Sequence, residues 1–485
     1  MSLSKDTVFY SLANWGRRLV GFVTAPILIA YLDPGDYGYM ALVNTLGTFC
    51  SILGMMAIVD QGLARFFIDA KEDHEKQGYV TTSYFAGGTG VAVVALLIMG
   101  GTPAVRFFLH DVQSPWILTA LVALVCVTQS FQYVGSNMLK WTFQSPLFMR
   151  ITLLQTLAGA ALTVAVVVLF GWRGKGVILV GAAAALGAGL WANWSVRDYV
   201  RPSAFSRDKL RHLVSYSWPL LGLNIFAYFT RSLDRIFLAG LASLGAVGVF
   251  SVAYTIGSLF ETLVSGFFFA WSPYLFSTFK EDWAPRRYAH FFSAFACFGL
   301  LSLIGLGLWG GPVVMVFRPD GAYRQIGVFI PWIVGGILHY YLGGYFAPGP
   351  AITKKTHWKL FGFILAASAN ALLNYLLIPR LGILGAGMAT TLSSLLAGTF
   401  NQIVSNRLYF VPNRWRVSFL LIVLFTAAVS FIQYDAFPYH LPEMTFVDRT
   451  LVTLVLMGLA LLPFQRDIRR SGLVGELIGK VLKRA

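Results

Sequence analysis

The 485-residue sequence predicts an all-α polytopic membrane protein of about 14 transmembrane helices, with two pseudo-symmetric six-helix lobes around a central cavity plus two C-terminal helices. Three observations predict it. The chain carries far more hydrocarbon than charge, its basic residues recur in alternate connecting segments, and a pattern of small and polar residues repeats at a fixed offset.

Hydrophobic residues make up 57% of the chain and charged residues 12%, against roughly 25% charged in an ordinary soluble domain. Runs such as 91–100 (VAVVALLIMG), 160–170 (AALTVAVVVLF) and 420–432 (LLIVLFTAAVSFI) lie within longer apolar stretches. A bilayer core takes about 20 residues to cross. Fourteen stretches qualify, near 8–32, 37–60, 79–100, 114–138, 147–170, 177–196, 212–239, 245–272, 288–310, 325–347, 357–378, 383–405, 417–434 and 447–463.

Lys and Arg accumulate in short cytoplasmic loops, so charge tests the count. With the N-terminus inside, the inner segments hold 26 Lys and Arg and the outer segments 7; Arg17, Arg18, Arg231 and Arg235 fall within spans. A missed span would scramble the alternation beyond it, so the reading places both termini in the cytoplasm. It also accounts for the net charge of +16: cations spread over the inner loops face anionic headgroups, and no nucleic acid partner is expected. Cys50, Cys126 and Cys297 lie singly in apolar spans, without metal-type spacing. The first span contains Arg17 and Arg18 and reads as retained rather than cleaved. Residues 471–485 alternate apolar positions with Lys480, Lys483 and Arg484, the pattern of an amphipathic surface helix.

Sliding the chain by 210 residues lays Gly35, Gly38, Thr45 and Gly47 on Gly245, Gly248, Thr255 and Gly257, and Asn14 on Asn224. Spans one and two then overlay spans seven and eight. An offset of six spans preserves orientation, which gives parallel repeats. The expected organisation is an N-lobe over 1–200, a C-lobe over 201–410, two appended spans over 411–465 and a basic tail over 466–485.

Charge inside the spans is the informative anomaly. At 100° per residue, Asn224, Tyr228, Arg231 and Arg235 project within about 60° of one another on the seventh span, with Asp234 at the edge of the stripe. The first span carries a matching stripe with Asn14 and Arg18, flanked by Arg17, and the eighth presents Ser258 and Glu261 among further hydroxyls. Arg17, Arg18 and Arg231 lie roughly 20 Å along their helices. Each ionised group facing lipid there costs roughly 2.5–3.5 kcal/mol, so they are expected to face water or each other. Pairing of Asp234 with Arg231, and of Glu261 with Arg17 or Arg18, would make them ionic staples. The tally favours a binding role: the four arginines outnumber the two acids, and the guanidinium fork suits phosphate. The expected cargo is anionic.

The stretches YLDPGDYGYMALVNTLGTF (31–49), VDQGLARFF (59–67), SLDRIFLAGLASLGAVGVFSVAY (232–254), GPAITKKTHW (349–358) and NYLLIPRLGILGAGMATTLSS (374–394) carry a family resemblance. From about residue 5 to residue 465 the chain resembles the polysaccharide or O-antigen flippases, which move lipid-linked oligosaccharides, within the multidrug/oligosaccharidyl-lipid/polysaccharide exporter superfamily. The resemblance implies a multi-pass protein of the bacterial inner membrane, open alternately to each side. It also implies an oligosaccharide on undecaprenyl pyrophosphate, carried from the cytoplasmic to the periplasmic leaflet, with membrane lipids and polysaccharide assembly proteins as further partners and a monomer as the working unit. On that reading Arg17, Arg18, Arg231 and Arg235 hold the pyrophosphate, and Asn14, Asn224, Tyr228 and Ser258 line the cavity.

Ion or potential coupling is expected, with Asp60, Asp234, Glu261 and His339 as candidate proton carriers or ion-pair partners; His339 reads equally as a hydrogen-bonded interior residue. Lys354 and Lys355 would meet incoming phosphates from the cytoplasm, or simply follow the positive-inside bias. No cofactor, metal or covalent step is expected. The alternatives are a lipid II flippase, a multidrug exporter of the same superfamily, whose cationic cargo would call for an acidic cavity, and a membrane glycan polymerase or ligase. That last class typically carries a large outer catalytic loop, and here the outer connections are short.

Overall fold

The computed structural model describes residues 3–109, 112, 114–319, 321–434 and 444–465. The described residues are helical without strands. In chain order the long helices are α1 (Leu3–Tyr31), α2 (Pro34–Met55), α3 (Asp73–Gly100), α4 (Pro115–Trp141), α5 (Ser145–Val168), α6 (Gly174–Ser195), α7 (Arg207–Leu241), α8 (Leu244–Thr278), α9 (Ala284–Phe317), α10 (Ile326–Gly344), α11 (His357–Leu381), α12 (Ile383–Leu408), α13 (Trp415–Ile432) and α14 (Phe446–Leu461). Each coincides with one apolar stretch of the sequence. The expected amphipathic helix over 471–485 lies outside the described residues.

By length and composition, 12 of these helices can cross a membrane, and α1 and α7 are not among them. Arg17 and Arg18 in the one, and Arg231, Asp234 and Arg235 in the other, depress the hydropathy of segments otherwise as apolar as their neighbours. The outward faces suit lipid. Leu96, Leu97, Leu154, Leu162, Leu451 and Leu454 are each more than half exposed, and contiguous apolar surface on that scale is unfavourable in water.

Local chemistry sets the helix ends. Pro34 and Pro115 start α2 and α4 at the first-turn position where proline is tolerated. Ser206 caps α7 by accepting from the Lys209 amide at 3.4 Å, and Thr445 and Asp448 form a reciprocal capping box on α14. Gly382, at φ +56, makes the turn between α11 and α12, a conformation that costs a side chain. Helices α7 and α8 run for 35 residues each and α9 for 34, or roughly 50 Å. They overshoot the hydrocarbon layer, and the apolar stretch marks only their middle portions.

The chain divides into two compact units, Met1–Gly248 and Val249–Ala485. In the first, α4 packs against α2, α3 and α6, α1 lies along α5, and α2 also meets α7. Glycine permits several close approaches in this unit, among them that of α2 to the start of α8. A Cβ on Gly38 would overlap the Leu244 carbonyl oxygen and sit 2.8 Å from the Gly248 nitrogen, while one on Gly248 would overlap the Pro34 carbonyl oxygen and sit 3.0 Å from the Gly38 nitrogen. Residues 34 and 38 thus meet 244 and 248 reciprocally, in the register of the 210-residue offset. In the second unit α10 is the central helix, packed by α9, α12 and α13, with α11 on α12 and α14 on α9. Phe268 stacks on Tyr341 at 4.9 Å, Phe295 lies 5.1 Å from Phe268, and the Trp271 indole donates to the Tyr345 carbonyl at 3.0 Å, so this aromatic group is interior packing.

Candidate functional site

The polar residues of α1 and α7 both belong to the first unit. On α1 the exposed Arg17 guanidinium donates to the Asn14 side-chain oxygen at 3.4 Å, an i to i+3 contact that holds both groups on one face. Arg18, beside it, is exposed. On α7 the Tyr228 hydroxyl donates to the Thr45 carbonyl of α2 at 2.6 Å, and its ring stacks on Phe49 at 6.1 Å. That contact fixes the rotation of α7 and turns Arg231 outward, where it is exposed. Arg235 donates to the Arg231 carbonyl at 3.1 Å and acts electrostatically on Tyr228. Asn224 is half-buried on the same stripe. Asp234, by contrast, is only 1% exposed, turned into the packed side of its helix. Arg231, Asp234, Arg235 and Glu261 all have interaction partners in the fold, so the excess of arginines over acids is a matter of number, not of bare charge.

In the second unit Ser258 and Glu261 are half-buried on α8. The hydroxyls of Thr255, Ser258, Thr262 and Ser265 each donate to a carbonyl three or four residues back. Their protons are engaged within the helix, and what they offer a ligand is oxygen lone pairs. His339 is fully buried between α10 and α13, its ring nitrogens 2.8 Å from the Gly335 carbonyl and 3.3 Å from the Phe419 carbonyl. Lys354 and Lys355 are exposed at the turn after a short helix, Gly349–Ile352, with Lys354 at φ +59.

Asp60 sits in an unusual piece of backbone. Met56 and Ala57 both adopt left-handed geometry, φ 48 and 57, without being glycine, at a cost of order 1–3 kcal/mol each. One π-helical turn, Ile58–Gly62, follows, and Gly62 donates five residues back to Ala57 at 3.2 Å. Such turns concentrate at functional sites. Ile58, Val59 and Leu63 are buried while Asp60 is only half-buried, so apolar neighbours anchor the turn and present the carboxylate.

A group of residues that sequence reasoning did not single out faces that carboxylate. On α4, Tyr133, Asn137 and Lys140 recur at i, i+4 and i+7, the spacing of one helix face. The Lys140 ammonium donates to the Asn137 side-chain oxygen at 3.3 Å and lies 5.3 Å over the Phe148 ring. Tyr133 interacts with Asp60 and Asn137, and Lys140 interacts with the charges of both Asp60 and Arg17. The first unit therefore gathers Asn14, Arg17, Asp60, Tyr133, Asn137 and Lys140 into one polar group. Lys140 was hidden because its position next to an inner loop already explained its charge; the i, i+4, i+7 spacing was the available signal. Elsewhere in this unit Arg173 pairs with Asp33 at 3.4 Å and Asp36 at 3.7 Å.

This arrangement can bind a strong anion with guanidinium and ammonium donors, and the described residues show no grouping of three or more metal-ligating side chains. Known proteins agree with the fold. The family model described as "Polysaccharide biosynthesis protein" matches residues 3–279. A curated relative, the "Probable flippase AglR" of Haloferax volcanii, is 25% identical over 396 residues, which cover 79% of each chain. Among solved structures, the lipid II flippase MurJ in an inward closed conformation aligns with TM-score 0.71 and 12% identity over 95% of this chain and 99% of that one. An inward-facing multidrug resistance MATE family transporter of the MOP superfamily aligns with TM-score 0.62 and 13% identity over 85% and 96%. These two show the fold alone; the family match spans more than half of the sequence, and the protein belongs to the polysaccharide biosynthesis protein family.

Proposed function

We propose that the protein is a flippase that carries a lipid-linked oligosaccharide, on a polyprenyl diphosphate such as undecaprenyl pyrophosphate, from the cytoplasmic to the periplasmic leaflet of a bacterial inner membrane. The observation that carries this reading is the placement of Arg17, Arg18, Arg231 and Arg235 on the two long helices whose charge sets them apart from the 12 apolar spans. Cations at that depth are costly in lipid, and a diphosphate offsets the cost with charge-assisted, bidentate hydrogen bonds. The family membership and the relative named as a probable flippase support the same conclusion.

The division of labour follows from the chemistry. The guanidinium groups replace the headgroup's water. Asn14 and Asn224 hydrogen-bond to sugar hydroxyls, and the polyprenyl tail stays in hydrocarbon. Lys354 and Lys355 raise the local concentration of the anionic headgroup on the cytoplasmic side. The repeats of 1–200 and 201–410 supply the two halves that alternate access, with 411–465 appended and the N- and C-termini cytoplasmic. Asp60, Asp234 or Glu261 couples the cycle to an ion or to the membrane potential.

Proteoliposomes holding a fluorescent polyprenyl-diphosphate oligosaccharide test the proposal. Quenching from outside reports the fraction flipped with time. Wild-type protein is expected to expose label from both leaflets, and Arg17→Ala and Arg231→Ala to slow this at least tenfold, since one charge-assisted hydrogen bond contributes roughly 1.5–3 kcal/mol. Unchanged rates in both variants would remove these residues from the site.

A further inference from the structure

One cavity of the first unit lies apart from the arginine stripes. It measures about 430 Å³, within the roughly 300–1,000 Å³ of small-molecule sites. Asp33 and Asp36 at the start of α2 line it, with Arg173 and Lys175 around the start of α6, Val112 before α4 and Leu244 at the start of α8. A cytoplasmic N-terminus puts all four of these connections on the outer side. One backbone contact brings the charges together. A Cβ on Gly174 would stand 2.6 Å from the Asp36 carbonyl oxygen, so glycine lets α6 begin against the first turn of α2, and the two cations flank that glycine. A single Arg173 nitrogen lies 3.4 Å from the Asp33 carboxylate and 3.7 Å from that of Asp36. A closed charge-assisted bond measures about 2.7–2.9 Å, so both pairs are loose, and exposed pairs of this kind contribute little to stability. The Lys175 ammonium stands 5.8 Å over the Tyr39 ring. Gly35 borders the same space, and a Cβ there meets nothing within 4 Å.

We propose that this cavity is a saccharide subsite on the outer side of the first unit, taking a sugar of the lipid-linked oligosaccharide as it leaves the carrier. This rests on the flippase reading given above. Charge selects the class of ligand. The carboxylates of Asp33 and Asp36 balance the cations of Arg173 and Lys175, so the lining has no surplus with which to hold an ion, and the two acids repel a diphosphate from Arg173. What the lining offers is both halves of a hydrogen-bond pair: carboxylates accept only, while guanidinium and ammonium groups donate only. A sugar hydroxyl does both, so neighbouring hydroxyls on one ring bridge an Asp and the Arg. The loose ion pairs open for such a ligand with little loss. Val112, Leu244 and the Tyr39 ring give apolar wall for the C–H face of the sugar. The unit thereby separates two tasks by position, with arginines inside the spans of α1 and α7 for the diphosphate and the outer cavity for the glycan.

The experiment gives the full-length chain two cargoes in the same proteoliposomes, a labelled polyprenyl-diphosphate oligosaccharide and the labelled polyprenyl diphosphate without sugar. Gly35→Phe fills the cavity from a position with open space around it and leaves every charge in place. Asp36→Asn and Arg173→Gln remove an acceptor and a donor. Each variant is expected to flip the oligosaccharide about tenfold more slowly, the effect of one charge-assisted hydrogen bond, and the sugar-free lipid at the wild-type rate. The free oligosaccharide, released from its diphosphate by mild acid, should bind wild-type protein in titration calorimetry and bind Gly35→Phe about tenfold more weakly. Equal slowing of both cargoes, no slowing of either, or oligosaccharide binding that Gly35→Phe leaves intact overturns the proposal. So does binding of sodium or inorganic phosphate that Gly35→Phe abolishes while oligosaccharide binding persists, because the cavity would then be an ion site. If a charge variant does not fold, Gly35→Phe decides; if wild type moves only the oligosaccharide, the calorimetry decides. Failure of the wider reading looks different, because wild-type protein would then flip neither cargo.

Discussion

The reciprocal glycine crossing gives the sharpest test of the fold. Replacing Gly38 with Ala puts a Cβ onto the Leu244 carbonyl oxygen and 2.8 Å from the Gly248 nitrogen. Both obstacles are backbone, so no side chain can swing away; α2 and the start of α8 must part by roughly 1.5 Å to restore ordinary van der Waals contact. Overpacking of this kind costs typically 1–3 kcal/mol. The control lies three residues earlier, since a Cβ on Gly35 meets nothing within 4 Å, and Gly→Ala in a helix contributes up to roughly 0.5–1 kcal/mol. The same contrast holds for Gly248, which is blocked, and Gly245, whose nearest neighbour is the Ser243 hydroxyl at 3.7 Å. A loss of about 2 kcal/mol lowers the melting temperature of a unit this size by about 4–8 °C. Thermal unfolding in detergent, followed by tryptophan fluorescence, should show Gly38→Ala and Gly248→Ala melting lower by similar amounts and Gly35→Ala and Gly245→Ala at or slightly above wild type. The double variant Gly38→Ala/Gly248→Ala should lose less than the sum, because the helices have already parted. Four variants that melt together would refute the crossing, and a loss at only one of the two blocked glycines would refute its reciprocity.

Further outcomes follow from individual side chains. Tyr228→Phe removes the hydrogen bond to the Thr45 carbonyl and should cost about 1 kcal/mol and reduce flipping, because α7 loses the contact that aims Arg231; unaltered flipping would show that the aim is set elsewhere. His339→Ala vacates a fully buried ring held between two carbonyls and should destabilise by about 2–4 kcal/mol while leaving the pH profile of flipping in place; a flattened profile would assign His339 to coupling instead. Neutralising Lys354 and Lys355 to Gln should slow uptake of the anionic lipid a few-fold at low ionic strength and little at high ionic strength, where exposed charges are screened; a salt-independent effect would point to direct binding.

Much of this was legible in the residues. The helices were readable because each must bury its own backbone polar groups in lipid and so spans an uninterrupted apolar stretch. Their ends were less so: α7 begins at Arg207 and α8 runs on to Thr278, beyond the hydrocarbon, where hydropathy no longer reports helix. The close approach of Gly38 to Gly248 was not legible, because the 210-residue offset marks the two as equivalent positions of a repeat, and equivalence does not by itself bring them into contact. The turn at Met56–Gly62 was invisible, since no glycine or proline marks its two left-handed residues and tertiary packing alone imposes them. Periodicity put Asp234 beside the arginine stripe, yet one position of rotation was enough to bury it. Lys140 went unseen because one explanation for its charge was already sufficient.

The central claim, that the carrier recognises its cargo through a diphosphate, is tested most directly by changing the cargo rather than the protein. Proteoliposomes with wild-type protein should flip a labelled oligosaccharide on a polyprenyl diphosphate, flip the monophosphate analogue at least tenfold more slowly, and leave the uncharged polyprenyl glycoside in its starting leaflet. Equal flipping of all three would contradict the account, because the cations on α1, α4 and α7 would then have no part in choosing what crosses.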